Sequence, residues 1–406
     1  MRCRWLVVSL CLTLPATAAD WPGWRGPAGT GVSTDKDLPT KWSATENVRW
    51  KTPLSGAGVS APVVHGERIF LTTSDGRGND RLHVSCYQRS DGKELWHTTL
   101  FGSAQPEGQF PPGGMAVPTP ATDGKHVFAL FGTGDLVCLD FDGKPAWLRS
   151  LAQEYGPFRN RWGMGASPIL VGDLLVALVD HWGQSYLLGV DAKTGATRWK
   201  TNRDASVNWS SPVAVKAKDR THIVVVGTHQ VKGYDAADGA ELWKVGGMTM
   251  QCIPSPVAEG NIVYAVSGRK GNTLAIRLDG ARGELEKNVV WSYSRGAPFV
   301  PSGLVYAGHY YMVDDEGFGT CLEAATGAEV WRERMGGRYQ ASLVAGDGKV
   351  YFTNLNGVVV VIKAGAEFAV LAKNALGEAV VASPAVSNGQ IFLRGEKHLY
   401  CIEGKK

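Results

Sequence analysis

The sequence predicts an all-β fold, an eight-bladed β-propeller of four-stranded antiparallel blades, and two repeated signals support this prediction. The first signal is a serine or threonine that precedes a short apolar run. Its first and last occurrences, Ser60 and Ser383, are 323 residues apart, so the mean spacing over seven intervals is about 46 residues. A period of roughly 40–50 residues is typical of a propeller blade. The six intermediate positions are Thr119, Ser167, Ser211, Ser255, Ser302 and Ser342.

The second signal is a glycine followed four residues later by a tryptophan. Trp291 joins this series behind a longer turn, and Trp50 ends another unit. Each sheet of a propeller must bury a face against its neighbour, so we expect these tryptophans to cover the seams between blades. The series comprises Trp50, Trp96, Trp147, Trp199, Trp243, Trp291 and Trp331.

Four strands can be assigned within a unit, as the third unit illustrates. Glycine and aspartate occupy its turns because tight hairpins need positive φ angles, which these residues tolerate. The predicted strands are Ser167–Val171, Leu174–Val179, Ser185–Val190 and Ala196–Lys200. Repeated turns of this kind account for much of the glycine content.

The last unit, Ser383–Glu403, supplies only about three strands. We expect Val48–Pro53, which contains Trp50, to complete it, because joining the first strand to the last blade removes an open sheet edge. The seventh unit departs from the pattern. Phe368 or Leu371 must take the place of its tryptophan.

Composition excludes several classes of protein. The chain has 406 residues, of which 51 are glycine and 14 are tryptophan, and 20% are charged. This composition is unlike a coiled coil, a disordered chain or a highly charged nucleic-acid binder. The formal net charge of +4 becomes +2 without Arg2 and Arg4, which is too small to indicate a polyanionic partner. We expect no nucleic-acid ligand.

Residues 1–19 have the features of a secretory signal peptide. Arg2 and Arg4 precede the apolar stretch Trp5–Leu14, and Ala16-Thr17-Ala18 offers a cleavage site. The stretch is too short to cross a membrane. Leu10 precedes Cys11 where a lipoprotein signal needs a small residue, so lipidation is not expected. The sequence thus predicts a periplasmic or secreted protein without a transmembrane segment.

The domain organisation follows from these boundaries. Residues 20–47 form an N-terminal extension with a W-P-x-W-R-G-P element, and residues 48–406 form the propeller. The cysteines of the exported chain occur without vicinal pairs or a C-x-x-C motif. Alignment of the third strands places a small residue in one column, so we expect free, buried thiols. This column comprises Cys86, Cys138, Gly189, Gly233, Ala275, Cys321 and Cys401.

The glycine–tryptophan block resembles the tryptophan-docking motif of pyrroloquinoline-quinone (PQQ) repeat propellers. It is best kept in DAKTGATRW, ending at Trp199, and in EAATGAEVW, ending at Trp331. The opening WPGWRGPAGTGVS, from Trp21 to Ser33, resembles the N-terminal element of many secreted bacterial members. The resemblance extends from Trp21 to the C-terminus and implies the PQQ-like propeller fold.

The resemblance allows two classes of function. One comprises quinoprotein alcohol dehydrogenases, in which PQQ and Ca²⁺ sit at the propeller axis and an aspartate acts as base. The other comprises non-enzymatic scaffolds of the BamB type. Many of the enzymes carry a vicinal cysteine pair under the quinone, and some carry a haem motif. This chain has neither. We therefore expect a non-catalytic binding or protein-interaction scaffold without a cofactor. The alternatives are a compact PQQ- and calcium-dependent alcohol or sugar dehydrogenase and a carbohydrate-binding or carbohydrate-active propeller.

Candidate ligand-binding residues cluster in loops at one end of the predicted propeller. In an antiparallel four-stranded blade, the loops that join blades and the loops between second and third strands emerge on the same face. This face forms the axial mouth, where we expect a monomeric chain to bind a protein partner or a small ligand. The candidates are Arg159, Arg161, Trp162, Asp180, His181, Trp182, Trp209, His229 and Arg338.

Each group of candidates admits a functional and a structural interpretation. Arg159 and Arg161 are able to clamp a carboxylate or to pair with a neighbouring loop. The exposed aromatics suit a sugar, a quinone or a peptide, but loop packing also explains them. Asp314-Asp315-Glu316 offers oxygen ligands for Ca²⁺, although alternating side chains would not all converge. We expect no metal site and assign no catalytic residue.

Overall fold

The structure, a computed structural model, describes residues 20–105, 113–218, 220–268 and 271–404. The predicted signal peptide lies outside these residues. Phe110, Arg269 and Lys270, which belong to loops of the predicted mouth, also lie outside them. Eight antiparallel sheets are present, and seven of them have four strands. The prediction of an all-β, eight-bladed propeller is confirmed.

The first four blades follow the chain in order, from the innermost strand outward. Blade 1 contains Val63–His65, Arg68–Asp75, Arg81–Gln88 and Glu94–Phe101. Blade 2 contains Ala121–Thr122, His126–Leu130, Asp135–Asp140 and Pro145–Ser150, followed by the helix Leu151–Tyr155. Blade 3 contains Ile169–Val171, Leu174–Val179, Tyr186–Asp191 and Thr197–Asn202. Blade 4 contains Val213–Ala217, Arg220–Val226, Val231–Asp235 and Glu241–Val245.

The remaining blades complete the ring. Blade 5 contains Val257–Glu259, Ile262–Val266, Thr273–Arg277 and Val289–Tyr293, and Glu286–Asn288 forms a 3₁₀ turn. Its short strand Gly283–Glu284 pairs in parallel with the outer strand of blade 4. Blade 6 contains Leu304–Tyr306, His309–Val313, Phe318–Glu323 and Glu329–Arg334. Blade 7 contains Val344–Gly346, Lys349–Thr353, Val358–Lys363 and Val370–Ala375.

Blade 8 closes the propeller as the sequence predicts. Its inner strands are Ala385–Ser387, Gln390–Arg394 and His398–Glu403. The outer strand is Val48–Pro53, which pairs antiparallel with His398–Glu403. The first strand of the propeller thereby completes the last sheet.

The glycine and tryptophan of the repeated block hold neighbouring blades together. Trp147 of blade 2 lies over Gly195 of blade 3, and a β-carbon at Gly195 would be 2.8 Å from Trp147 Cδ2. Trp147 Nε1 also donates to the Ala192 carbonyl at 3.0 Å. A side chain at Gly195, whose φ is +75°, would collide with the indole. The same relation joins Gly92 to Trp50, Gly143 to Trp96, Gly239 to Trp199 and Gly327 to Trp291.

The seventh blade corrects one prediction. Ala372, rather than Phe368 or Leu371, occupies the tryptophan position, because Ala372 pairs with Val361 as Trp331 pairs with Cys321. Phe368 instead contacts the Trp331 ring at a centroid distance of 5.0 Å. The seam that follows contains Trp42, which packs in the same cluster as Ala372. The extension therefore supplies an indole at a seam that lacks one.

The predicted column of small residues faces these tryptophans. Cys86, Cys138, Cys321 and Cys401 each pair across the sheet with a tryptophan of the series. All five described cysteines are free and buried, as expected. Burial raises the thiol pKa of the four column cysteines to about 12. These thiols are small apolar fillers.

The N-terminal extension crosses the face opposite the mouth. Trp21 exchanges two backbone hydrogen bonds with Val64 of blade 1. Further along, the Ser33 amide donates to the Ala345 carbonyl of blade 7. Residues 20–39 therefore span the end of the axial channel before the chain enters blade 8. No helix in the described ranges is long and apolar enough to cross a membrane.

Candidate binding pit at the propeller axis

The loops at the mouth are paired by hydrogen bonds. The Trp182 amide donates to the Arg159 carbonyl at 2.9 Å, and the Arg159 amide donates to His181 Nδ1 at 2.9 Å. Similar bonds join His229 to Met248 and Arg338 to Leu355. In blades 3 and 7 the loop between second and third strands thus adjoins the loop that enters the blade, and in blade 4 it adjoins the loop that leaves the blade. The two sets of loops form one face.

This face opens into an axial pit of about 500 Å³. Such a volume is within the usual range of small-molecule sites, roughly 300–1,000 Å³. No charged side chain lines the pit among the described residues. The walls are mainly aromatic and aliphatic, and they include Trp162, Trp209, Ile253, Phe299, Val300 and Val381.

A ring of hydroxyl groups surrounds the axis at the inner end of the pit. In blades 1 to 7 the amide at the repeated position donates to the hydroxyl of its counterpart in the next blade, as in the 2.9 Å bond from Ser167 N to Ser211 Oγ. Seven such bonds run from blade 1 to blade 8. The hydroxyls belong to Thr119, Ser167, Ser211, Ser255, Ser302, Ser342 and Ser383.

Blade 1 interrupts this ring and corrects the sequence alignment of the repeat. Ala61, not Ser60, occupies the repeated position, since the Ala61 amide donates to Thr119 Oγ1 at 2.9 Å. Ala61 and Ser167 each lie two residues before an innermost strand. Ser60 directly precedes Ala61, so the predicted repeat position in blade 1 is one residue too early. The ring therefore lacks a hydroxyl between blades 8 and 1.

The N-terminal extension closes the inner end of the pit. Trp24 lines the pit, and its Nε1 donates to Ser255 Oγ at 2.9 Å. A second cavity of about 130 Å³ lies on the other side of Trp24, against Gly26 and Pro27. The indole of Trp24 thus lies between the two cavities. The larger cavity is therefore a pit whose floor includes the Trp24 indole.

The three tryptophans outside the seam series have different positions. Trp162 and Trp209 line the pit, whereas Trp182 is not part of its lining. Trp162 and Trp182 are 50% and 56% exposed. Trp209 is held more firmly, because its Nε1 donates to the Gly163 carbonyl at 2.8 Å. These contacts give the pit one fixed and one exposed indole.

Asp180 and His181 are buried behind the mouth. Asp180 accepts hydrogen bonds from Arg203 Nε at 2.9 Å and Nη2 at 3.0 Å. Both side chains of this ion pair are almost inaccessible. His181 accepts from the Arg159 amide and lies within hydrogen-bond distance of the Gln184 carbonyl. Burial lowers the pKa of His181, so the neutral imidazole is favoured. Both residues shape the mouth loops from within.

Four further predicted residues are exposed at the mouth. Arg159, Arg161, His229 and Arg338 all present exposed side chains. The Arg161 guanidinium lies 5.5 Å from the Trp162 ring. None of the four side chains forms an ion pair with a described acidic residue. They surround the entrance rather than the floor.

Two carboxylates of the acidic segment Asp314–Glu316 have protein partners. Asp314 pairs with Arg332 at 3.1 Å, and Asp315 accepts the Phe299 amide at 2.7 Å. Burial raises the pKa of Asp315. Ca²⁺ in proteins takes six to eight oxygen ligands, usually with carboxylates. The described lining contains no carboxylate, and the described chain contains no cluster of three His, Cys, Asp or Glu residues suited to a metal. These residues do not fit PQQ held with Ca²⁺.

The sequence missed the floor of the pit. Trp24 was part of a family signature, but the signature does not indicate that its indole enters the axis. The ring serines mark the repeat, but the repeat alone does not indicate that they line a cavity. Their regular spacing, together with the position of innermost strands in a propeller, was a signal that would have placed them there.

Comparison with known proteins identifies the family. A family model described as outer membrane protein assembly factor BamB matches residues 79–181, 183–316 and 314–405. The chain belongs to the BamB family. No curated protein sequence matches this BamB-like chain.

Solved structures resemble the chain at the level of the fold. BamB from Moraxella catarrhalis is 14% identical and covers 87% of this chain and 98% of its own, with a TM-score of 0.63. A europium-containing methanol dehydrogenase is 11% identical and covers 94% of this chain and 90% of its own, with a TM-score of 0.71. Quinohemoprotein alcohol dehydrogenase from Comamonas testosteroni is 13% identical and covers 96% of this chain and 81% of its own, with a TM-score of 0.70. These identities show a common propeller fold alone.

Proposed function

We propose that this BamB-like propeller is a non-catalytic binding scaffold that takes an apolar group of a partner or small ligand into its axial pit. The observation that carries the proposal is the described lining, which is mainly aromatic and aliphatic, with ring hydroxyls and the amides of Gln251 and Gln340 but no charged side chain. Apolar surface that leaves water contributes favourably to binding. A redox or hydrolytic site needs charged or metal-binding groups at its centre.

The alternative functions require residues that the described part of the lining does not contain. A PQQ dehydrogenase needs a base and a calcium-binding carboxylate at the axis. A glycosidase needs two carboxyl groups roughly 5–10 Å apart. Asp180 and Asp314 are instead paired with Arg203 and Arg332. This distribution supports binding rather than catalysis.

We further propose that residues 1–19 direct export and that the mature chain acts as a monomer in the periplasm or outside the cell. The BamB family membership supports a role in protein interaction. The exposed Trp162 and Trp182 at the mouth provide contact surface for such a partner.

A neutral apolar dye such as Nile red tests the pit. Its fluorescence should rise on binding, and Trp162→Ala should weaken binding because Trp162 lines the pit. Trp182→Ala is the matched control, because Trp182 is similarly exposed but lies outside the lining. Equal binding by both variants and the parent would contradict the proposed site.

Reconstitution with PQQ and Ca²⁺ tests the alternative. We expect no dye-linked oxidation of alcohols or sugars by the reconstituted chain. Steady turnover that requires both additions would replace the scaffold proposal with a dehydrogenase.

A further inference from the structure

The ring hydroxyls provide hydrogen-bond donors at the pit floor. Ser167 Oγ accepts the Thr119 amide, and no group in the described chain accepts its own proton. The other five ring serines that line the pit have the same hydrogen-bonding pattern: each hydroxyl accepts a backbone amide, and no described group accepts its proton. Ser255 Oγ accepts from both Ser211 N and Trp24 Nε1, so its proton must point elsewhere. An occupant of the floor therefore meets O–H donors.

A buried cation lies directly beyond this floor. Arg25 is 3% exposed, and its guanidinium donates to the carbonyls of Gly303, Leu343 and Thr30. Gly303 and Leu343 follow the ring residues Ser302 and Ser342. No described carboxylate pairs with Arg25. Burial lowers its pKa to about 10, so the side chain remains charged near neutral pH. Its charge is thus uncompensated on this side of the floor.

A second buried cation lies at the gap in the ring. Arg394 is 2% exposed and donates to the Ser60 carbonyl, Ser60 Oγ and the Thr72 carbonyl. Ser60 adjoins Ala61, which lacks the ring hydroxyl. Arg394 also has no carboxylate partner among the described residues. Two buried arginines without a described carboxylate partner therefore contact residues next to the ring, at Gly303 and Leu343 and at Ser60.

The pit admits a chain end more readily than a continuous segment. Trp24 closes the inner end, so a polypeptide that enters to the floor must terminate there or turn back within about 500 Å³. An amino terminus would place its positive charge near Arg25. A carboxyl terminus would instead accept hydrogen bonds from the ring hydroxyls. Bonds from neutral donors to a charged acceptor are stronger than neutral pairs.

We propose that the pit captures the C-terminal carboxylate of a partner polypeptide whose last residues are apolar. The carboxylate accepts from the hydroxyls of Ser302 and Ser342, and the apolar side chains contact Trp162 and Trp209. This inference rests on the proposed binding function and names the group that the pit holds. The exposed Arg159 and Arg161 at the entrance favour an uncharged or acidic segment behind that terminus.

Calorimetric titration with two matched peptides tests the inference. Both probes are N-acetylated Gly-Ser-Gly-Phe-Leu, one with a free carboxylate and the other with a C-terminal amide. The free acid should bind at least about tenfold more tightly, as expected for one charge-assisted hydrogen bond. The pair 2-naphthoate and 2-naphthamide measures the same preference for a small acid that is not a peptide.

Substitution of ring residues locates the preference. The double variant Ser302→Ala, Ser342→Ala should abolish the preference for the acid over the amide, because the hydroxyls that donate to the carboxylate are removed. The matched control is Ser302→Thr, Ser342→Thr, which keeps both hydroxyls, and Thr119 already occupies an equivalent position. Thermal unfolding of both variants identifies any loss of fold. Retention of the preference by a folded alanine variant would overturn the assignment.

The outcomes separate this inference from the proposed function. If the amide binds as tightly as the acid, carboxylate capture is wrong and the apolar pit remains. If naphthoate shows the preference and neither peptide binds, a polypeptide source is wrong. If Nile red binds and all four carboxylate and amide probes fail, the inference is wrong and the proposed function stands. If Nile red also fails to bind, both the inference and the proposed function are wrong.

Discussion

Trp24 Nε1 donates a 2.9 Å hydrogen bond to Ser255 Oγ across 231 positions of sequence. This bond connects the N-terminal extension to the hydroxyl ring of blade 5. The extension is thereby part of the binding pit and not only a cover on the opposite face. Closing an axial channel with one indole converts it into a pit with a defined floor.

Removal of the Trp24 side chain should open that floor. We expect Trp24→Ala to lower the free energy of unfolding by about 2–3 kcal/mol, somewhat less than for a fully buried tryptophan. Trp24→Phe keeps most of the bulk and loses the hydrogen bond, so its loss should be about 1 kcal/mol. Urea unfolding measures both, and a crystal structure of Trp24→Ala should show the pit joined to the smaller cavity. Equal stability of the alanine variant and the parent would contradict this role.

The seam between blades predicts unequal effects of two glycine substitutions. Gly195→Ala places a β-carbon against the Trp147 indole and strains a φ of +75°. The expected loss of unfolding free energy is about 2–4 kcal/mol. Gly172→Ala is the control. Its φ is also positive, at +61°, but a β-carbon added at Gly172 would have no neighbouring atom within 4 Å. It should lose only about 1 kcal/mol. Similar losses in chemical denaturation would show that the seam contact contributes little.

The buried ion pair behind the mouth predicts a strong effect of one neutral substitution. Asp180→Asn leaves the Arg203 guanidinium without its charged partner, and breaking a buried pair typically costs about 3–5 kcal/mol. Asp173→Asn removes an exposed partner of Arg198 and should leave the unfolding midpoint nearly unchanged. The two midpoints in guanidinium chloride test this difference. If the Asp180→Asn variant is as stable as the parent, the ion pair with Arg203 does not stabilise the fold, and a structural role of Asp180 is contradicted.

Much of the architecture was predictable because repeats sample the same physical constraint several times. The tryptophan series, the small-residue column and closure by Val48–Pro53 all follow from burying sheet faces and edges. Trp42 was not predictable at the seam after blade 7, because it comes from outside the repeat. Its side chain is only 4% exposed, and it packs against Tyr351, which is distant in the sequence. Asp180 illustrates the limit for the site. Its loop position suggested exposure, but Arg203, 23 residues later, buries it.

The neutral state of His181 predicts a pH dependence of the mouth loops. Nδ1 accepts the Arg159 amide, so Nε2 carries the proton directed at the Gln184 carbonyl, and protonation of Nδ1 would break the bond to Arg159. Burial holds the folded-state pKa below the unfolded value of about 6.5, so the unfolded chain binds more protons as the pH falls below that value. Stability should therefore decrease on acidification from neutral pH.

His181→Gln isolates this contribution, because glutamine accepts and donates without titrating. The variant should lose less stability than the parent between about pH 7 and pH 5.5 in urea unfolding. His97→Gln is the comparison, since burial also lowers the pKa of His97 at a site far from the mouth. Only the His181 variant should flatten the pH dependence of Trp162 and Trp182 fluorescence. An unchanged fluorescence profile in that variant would show that His181 does not hold the two loops together.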